Sequence, residues 1–311
     1  MPTKTVASAP GKVILFGEHA VVYGRPAIAV PVTQVQAIAE MELTRHPLQL
    51  DAVDLRRQWA LADAPAEDPL ATAVRLTLDH LGAGPPAARL TVRSTIPIAS
   101  GMGSGAAVSV AIIRAVSEYL GHTLTDDEVC RLAFQVEKLY HGTPSGIDNT
   151  VVTYSRPVYF CHGQPMRTLA VPQAFLILVA VTGIASPTRH VVGDVRRAWQ
   201  ADPKRFEAIF DQVGQVAESA RTAIEEGRPG ELGPLMERNQ ALLTDMGVSS
   251  PALDRLIRVA LAAGAEGAKL SGAGRGGNLL ALVRPETEAA VSQALLEAGA
   301  AEVIATWVRE S

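Results

Sequence analysis

Residues 97–116 read PIASGMGSGAAVSVAIIRAV. An extended segment runs into three glycines within five positions, and an apolar stretch of helical spacing starts directly after them. Glycine lets a backbone approach an anion closely. The first turn of a helix adds unpaired N–H groups and a partial positive charge. A polyphosphate suits such a turn. The same pattern also serves a tight strand-to-helix connection whose glycines only relieve crowding, and on this segment alone both readings stand. It is not a P-loop, since no Gly-Lys-Ser/Thr closes it. Nor is it a dinucleotide fingerprint, since no βαβ unit leads into it.

Working outward, residues 88–98 (ARLTVRSTIPI) alternate with period two and predict a strand. Residues 68–82 have helical spacing, with Asp68 as cap, Pro69 at the first helical position and Gly82 at the end. The segments TVASAPGKVILFGE, PAIAVPVTQVQAIAEMEL, LQLDAV and QWALA predict a β-rich start, the second of them as one strand or two. After the glycine turn, helices are expected at 104–120 and 126–141. Thr125 caps the second, and Glu128 completes a capping box. GTPSGIDN then reads as a loop and TVVTYSRPVYF as strand-like. From 175 onward the order is a strand (FLILVAV), helices near 189–199, 203–226, 230–246 and 251–263, and a strand–glycine loop–strand segment at 268–283. A helix at 286–298 and a last strand, EVIATWV, follow. A boundary near Pro172 would divide the chain into domains 1–172 and 173–311.

Of 311 residues, 48% are hydrophobic, enough for a sizeable core in two domains. The net charge of -4, with no basic cluster, argues against nucleic acid and for small-molecule partners. Cys130 and Cys161 lie far apart with no metal-ligand spacing, which predicts reduced thiols and a cytoplasmic location. The N-terminus, MPTKTVASAPGK, lacks an apolar h-region, so no signal peptide is expected. The longest apolar run, from Ala174, is too short for a bilayer and predicts a buried strand.

Three further segments carry chemistry. EKLYHGTPSGIDN (137–149) sets Glu137 and Asp148 eleven positions apart across a turn rich in glycine and proline. One carboxylate suits Mg²⁺, which takes few carboxylates and completes its shell with phosphate oxygens; the other suits proton abstraction from a hydroxyl. Ordinary turns also favour Asp and Gly. A phosphate loop and a carboxylate pair in one chain describe phosphoryl transfer. APGKVILFGEHAVVYGRPAIAV (9–30) places Lys12, Glu18 and His19 in an apolar setting, and Lys12 is one of only five lysines. AKLSGAGRGGNLLALV (268–283) is either a second approach to phosphate or a hairpin with a bulge.

In this order and at these separations, the four segments resemble the GHMP kinase superfamily. PGKVILFGEHAVVYGRPAIAV is similar to the N-terminal signature of its mevalonate kinase branch, and VTGIASPTRHVVGDVR (181–196) to a later segment of the same branch. The resemblance implies an α+β, two-domain GHMP kinase fold. Its N-terminal domain is like ribosomal protein S5 domain 2, with a left-handed βαβ crossover, its C-terminal domain is ferredoxin-like, and the active site lies in the cleft between them. It implies that Asp148 is the catalytic base for the 5-hydroxyl of mevalonate. Lys12, beside it, would lower that hydroxyl's pKa or steady the γ-phosphate. Glu137 would be the Mg²⁺ carboxylate. Ala99, Ser100, Gly101, Met102, Gly103, Ser104 and Gly105 would form the loop around the ATP phosphates. The resemblance puts Glu18, His19, Thr182 and Thr188, with Gly272, Ala273 and Gly274 of the third motif, on the substrate side.

Two positions depart from the family pattern. The phosphate loop usually ends in a serine pair whose second member touches the metal, and here the pair is Ser104-Gly105. Ser104, a water or phosphate oxygens would then complete the Mg²⁺ shell. Arg275 stands where glycine is usual, with solvent or the triphosphate as its two destinations. The expected function is transfer of the ATP γ-phosphoryl to the 5-hydroxyl of (R)-mevalonate, in the mevalonate route to isoprenoids, by a cytoplasmic enzyme, with a homodimer as its assembly. The alternatives are a related kinase acting on phosphomevalonate, on the 3-hydroxyl of mevalonate or on homoserine, and a non-catalytic ligand-binding relative.

Overall fold

The computed structural model describes residues 2–97, 100–141, 145–161, 163–164, 166–186 and 188–310. In chain order the elements are β1 (Lys4–Phe16), β2 (Ala27–Leu43), β3 (Gln49–Ala52), β4 (Arg57–Ala60), α1 (Pro69–Leu81), β5 (Ala88–Ser94), α2 (Ser104–Tyr119), α3 (Asp126–His141), α4 (Ile147–Tyr154), β6 (Val158–Phe160), β7 (Arg167–Thr168), β8 (Phe175–Val181), α5 (Thr188–Ala201), α6 (Pro203–Glu225), α7 (Leu232–Asp245), α8 (Pro251–Ala262), β9 (Gly267–Ser271), β10 (Asn278–Val283), α9 (Pro285–Glu297) and β11 (Glu302–Val308). The chain forms two units. One comprises Met1–Gly11, Val35–Ile96 and Gly103–Ser155, and the other Lys12–Gln34, Pro97–Met102 and Arg156–Ser311.

In the first unit the strand order is β4-β3-β5-β2, with β3 parallel to β5 and the other pairs antiparallel. Helices α1 to α4 pack on one another. The local signals work as chemistry predicts. The Asp68 carboxylate accepts from the N–H of Ala71 at 2.9 Å, and Gly82 closes α1 in the left-handed region at φ 62°. The Thr125 N–H donates to Glu128 at 2.8 Å, and the Glu128 N–H donates back to the Thr125 hydroxyl at 3.3 Å, completing the capping box.

One expectation is corrected here. Residues 147–154, read as the end of a loop and the start of a strand, form the helix α4. The run TVVTY favours strand by propensity, yet Thr150, Val151, Val152 and Thr153 are all buried within the helical unit. Burial among helices outweighs an intrinsic preference of under about 1 kcal/mol per residue. The Thr150 hydroxyl also bonds back to the Gly146 carbonyl at 2.7 Å, a bond only helical geometry offers. Asp148 therefore stands in the first turn of a helix.

In the second unit the first residues of β2 pair with β6, and β6 with β7. The segment PAIAVPVTQVQAIAEMEL is one strand, and Pro31 falls between the stretch paired with β6 and the stretch paired with β5, where no bond of either ladder is lost. Strands β8 to β11 form an antiparallel sheet in the order β11-β8-β10-β9, while β1 pairs with β2. Chain order there is strand, helices, strand, strand, helix, strand, which is the ferredoxin-like arrangement. Every residue of β8 and of β10 is buried, as an unbroken apolar run requires of a central strand. Helices α7, α8 and α9 pack against this sheet. No helix among the described residues is long and apolar enough to cross a membrane.

Candidate active site

The first unit holds five of the expected positions, Gly103, Ser104, Gly105, Glu137 and Asp148, on or at the end of three mutually packed helices. Ser104 and Gly105 open α2, behind Gly103 in the left-handed region at φ 71°. No side chain caps this end, so the leading N–H groups of α2 are available to an anion. Gly105 has room to spare: a Cβ built on it meets nothing within 4 Å. Glu137 stands near the end of α3 at 8% exposure, and Asp148 occupies the first turn of α4, where a carboxylate is favourably placed against the helix dipole. Ala99, assigned to the phosphate loop, lies outside the described residues, as do residues 142–144 of the turn before Asp148.

The second unit gathers the rest. Lys12 is only 4% exposed, and its backbone N–H donates to the Met102 carbonyl at 3.0 Å, which stitches β1 to the start of the glycine loop. After β1 the chain turns sharply at Gly17, where φ is 96° and a Cβ would stand 2.5 Å from the Ala27 backbone. Glu18 and His19 follow. Glu18 is fully buried and pairs with the equally buried Lys269 of β9, while Asn239 Nδ2 donates to its second oxygen at 3.0 Å. Burial holds the Lys269 ammonium below its ordinary value, with Glu18 opposing that effect. His19 Nε2 contacts the Ala273 carbonyl at 3.0 Å, and burial lowers its pKa to about 4.

The β9–β10 connection is the centre on which the other segments converge. Thr182 donates to the Gly277 carbonyl through its N–H at 2.8 Å and its hydroxyl at 2.9 Å. Ser186 donates to the Gly274 carbonyl at 2.5 Å, and Asn278 Nδ2 to the Ser100 carbonyl at 2.7 Å. A Cβ on Gly274 would stand 2.1 Å from the Val248 carbonyl oxygen, so this turn needs glycine for space as well as for its φ of 83°. Ser100, His19, Thr182, Ala273 and Gly274 thus meet around one turn. Thr188 is exposed at the start of α5. Residues 268–283 are a hairpin, and the hairpin is also the anchor of the surrounding segments.

Sequence reasoning passed over Lys269, Asn239, Ser186 and Asn278. Lys269 was detectable as one of five lysines, placed mid-strand in an apolar run, a position that demands a buried partner. Arg275 is exposed, the solvent side of the two destinations foreseen for it, and it is tethered there. It pairs with Asp194 of α5 and donates to the Gly247 carbonyl at 3.2 and 3.3 Å. Arg25 is engaged as well, by Glu207 at 2.5 Å, Asp211 at 2.7 Å and the Tyr23 carbonyl at 2.7 Å.

No cluster of three or more His, Cys, Asp or Glu side chains suited to a metal exists among the described residues. The candidate donors are one carboxylate, Glu137, and one hydroxyl, Ser104. That set fits Mg²⁺ completing its shell with phosphate oxygens and water, and does not fit a metal caged by protein alone.

Residues 69–156 match the GHMP kinases N terminal domain, and residues 220–301 match the GHMP kinases C terminal domain. The mevalonate kinase of Pyrococcus furiosus is 34% identical, over 99% of this chain and 97% of its own length. Among solved structures, L. major mevalonate kinase in complex with R-mevalonate has a TM-score of 0.87 at 33% identity, covering 100% of this chain and 98% of that one. The Methanococcus jannaschii mevalonate kinase has a TM-score of 0.84 at 27% identity, covering 99% and 98%.

Proposed function

The chain belongs to the mevalonate kinases of the GHMP kinase superfamily, and on that premise we propose that it transfers the γ-phosphoryl of ATP to the 5-hydroxyl of (R)-mevalonate. The products are 5-phosphomevalonate and ADP. Asp148 accepts the hydroxyl proton as the oxygen attacks phosphorus and the bond to the ADP oxygen breaks. Lys12 supplies positive charge beside that hydroxyl. Residues 99–105 and the first N–H groups of α2 cradle the phosphates, which positions the donor and neutralises the charge that develops. Glu137 and Ser104 would hold Mg²⁺, whose role when bound is to neutralise and orient the phosphate oxygens. Glu18, His19, Thr182, Thr188 and the 272–274 turn shape the acceptor side. Residues 1–172 and 173–311 form the N-terminal catalytic and C-terminal domains, the enzyme works in the cytoplasm, and a homodimer is its assembly.

One observation carries the choice of acceptor. A phosphorylated acceptor needs a further cation on the substrate side, and the segment 18–25 offers Arg25. That guanidinium is already held by Glu207 and Asp211. An unphosphorylated acceptor fits this charge balance. The test is ADP release by the purified protein with mevalonate, phosphomevalonate, homoserine and galactose in parallel. ADP is expected with mevalonate alone, and preferential turnover of phosphomevalonate or homoserine overturns the assignment.

A further inference from the structure

Helix α4 is joined to α3 by a short chain of polar contacts in which each donor is fixed by chemistry. Asn149, 3% exposed, directs Nδ2 at the Cys130 carbonyl (3.2 Å) and at the Cys130 sulfur (3.0 Å). Reversing this amide would set its oxygen against the carbonyl oxygen of Cys130, acceptor against acceptor, so the orientation is determined. The Gly146 carbonyl can only accept, hence the Thr150 hydroxyl donates to it, at 2.7 Å. With that proton committed, the Thr150 oxygen is the acceptor of the Cys130 S–H, 3.7 Å away. The chain therefore runs from Asn149 to Cys130 to Thr150 to Gly146. It requires the thiol to keep its proton. Burial, helped by the charges of Asp127 and Glu137, pushes the Cys130 thiol above its ordinary value, against the pull of the Thr150 and Asn149 bonds.

Three of these residues flank the start of α4. Gly146 precedes the first turn at φ 85°, and Asn149 and Thr150 lie within it, so the two residues they enclose are Ile147 and Asp148. We propose that Cys130 and Thr150 are positioning residues which, with Asn149, hold the first turn of α4 on α3 and thereby fix the Asp148 carboxylate. This rests on Asp148 being the base. Neither residue touches a reacting atom in this scheme. Serine can replace cysteine, or threonine, in the chain, since a hydroxyl both donates and accepts; alanine and valine cannot.

The test is steady-state kinetics of Thr150→Val, Thr150→Ser, Cys130→Ala and Cys130→Ser beside Asp148→Asn. A base displaced by a fraction of an ångström is expected to lower kcat about tenfold in Thr150→Val and Cys130→Ala. KM for both substrates should stay within about twofold, since ground-state binding is untouched. Both serine variants should restore kcat, and Thr150→Val should cause no further loss on an Asp148→Asn background, where no base remains to be placed. Wild-type kcat in folded Thr150→Val overturns the proposal, and so does an equal fractional loss in the Asp148→Asn background. Should Cys130→Ala fail to fold, the near-isosteric Thr150→Val decides alone. High turnover in Asp148→Asn itself removes the base assignment and this proposal with it, an outcome distinct from the other two.

Discussion

His19 Nε2 stands 3.0 Å from the carbonyl oxygen of Ala273, 254 positions later in the chain, and joins the GEH turn to the third glycine motif. A carbonyl oxygen only accepts, so Nε2 carries a proton and donates it. Burial is the main cause of its low pKa of about 4, the Ala273 bond works against it, and the Arg275 charge adds to it. Above pH 6.5 neither the folded nor the unfolded chain protonates this ring, and the full stability is present. As pH falls from 6.5 toward 4 the unfolded chain takes up a proton that the folded chain refuses, and stability is lost. The accumulated loss is about 3 kcal/mol. Urea midpoints measured across that range should fall with pH in the wild type. His19→Asn, whose side chain does not titrate in this range, should flatten that part of the slope. An unchanged slope would place the acid sensitivity elsewhere.

Asp148→Asn keeps the size of the side chain and removes its ability to take a proton. Turnover is expected to fall by about a thousandfold, within the usual contribution of a positioned base. ATP binding, measured by calorimetry, should change little, because the phosphates are assigned to α2 and its preceding loop. A variant retaining most of its turnover would mean that another group accepts the proton.

The Glu18–Lys269 pair is fully buried, so its two halves should behave very unlike the pair. Lys269→Met leaves a carboxylate without its cation in a dry interior, at an expected cost of about 3–5 kcal/mol. Replacing both, as Glu18→Gln with Lys269→Met, removes the stranded charge and should recover most of that loss. Thermal unfolding of the wild type and these two variants reads this directly. If the double variant is no more stable than Lys269→Met, the charge pairing is not what holds these side chains.

What could be read in advance was local. The Asp68 and Thr125 caps, the glycine turn into α2 and the apolar β8 run each depend on residues a few positions apart, and each appears in the structure. The helix α4 was misread because its β-branched residues report a preference that packing overrides. The identity of partners distant in sequence left no local trace, even where, as at Lys269, the need for one could be read. Nothing near Glu18 points to Lys269, nothing near Arg25 points to Asp211, and nothing near Arg275 points to Asp194. The chemical roles were suggested by residue types and order. The folding roles of the same residues, such as Glu18 tied into the sheet, needed coordinates.

Gly105 offers a test of the metal shell that leaves the fold intact. It lies in the first turn of α2 with nothing within 4 Å of a built Cβ, and its φ is not in the left-handed region. Gly105→Ser should therefore stabilise the helix slightly, by up to about 0.5 kcal/mol from propensity alone. It also restores the second hydroxyl that the family's phosphate loop usually carries. With Glu137 and Ser104 as the protein's only proposed donors, an added oxygen ligand should lower the Mg²⁺ concentration for half-maximal activity several-fold, with kcat at saturating Mg²⁺ little changed. A Mg²⁺ titration of both proteins at fixed ATP measures this. An unaltered curve, with the serine variant at least as stable as the wild type, would show that Glu137 and phosphate oxygens already satisfy the ion and that the missing hydroxyl is immaterial.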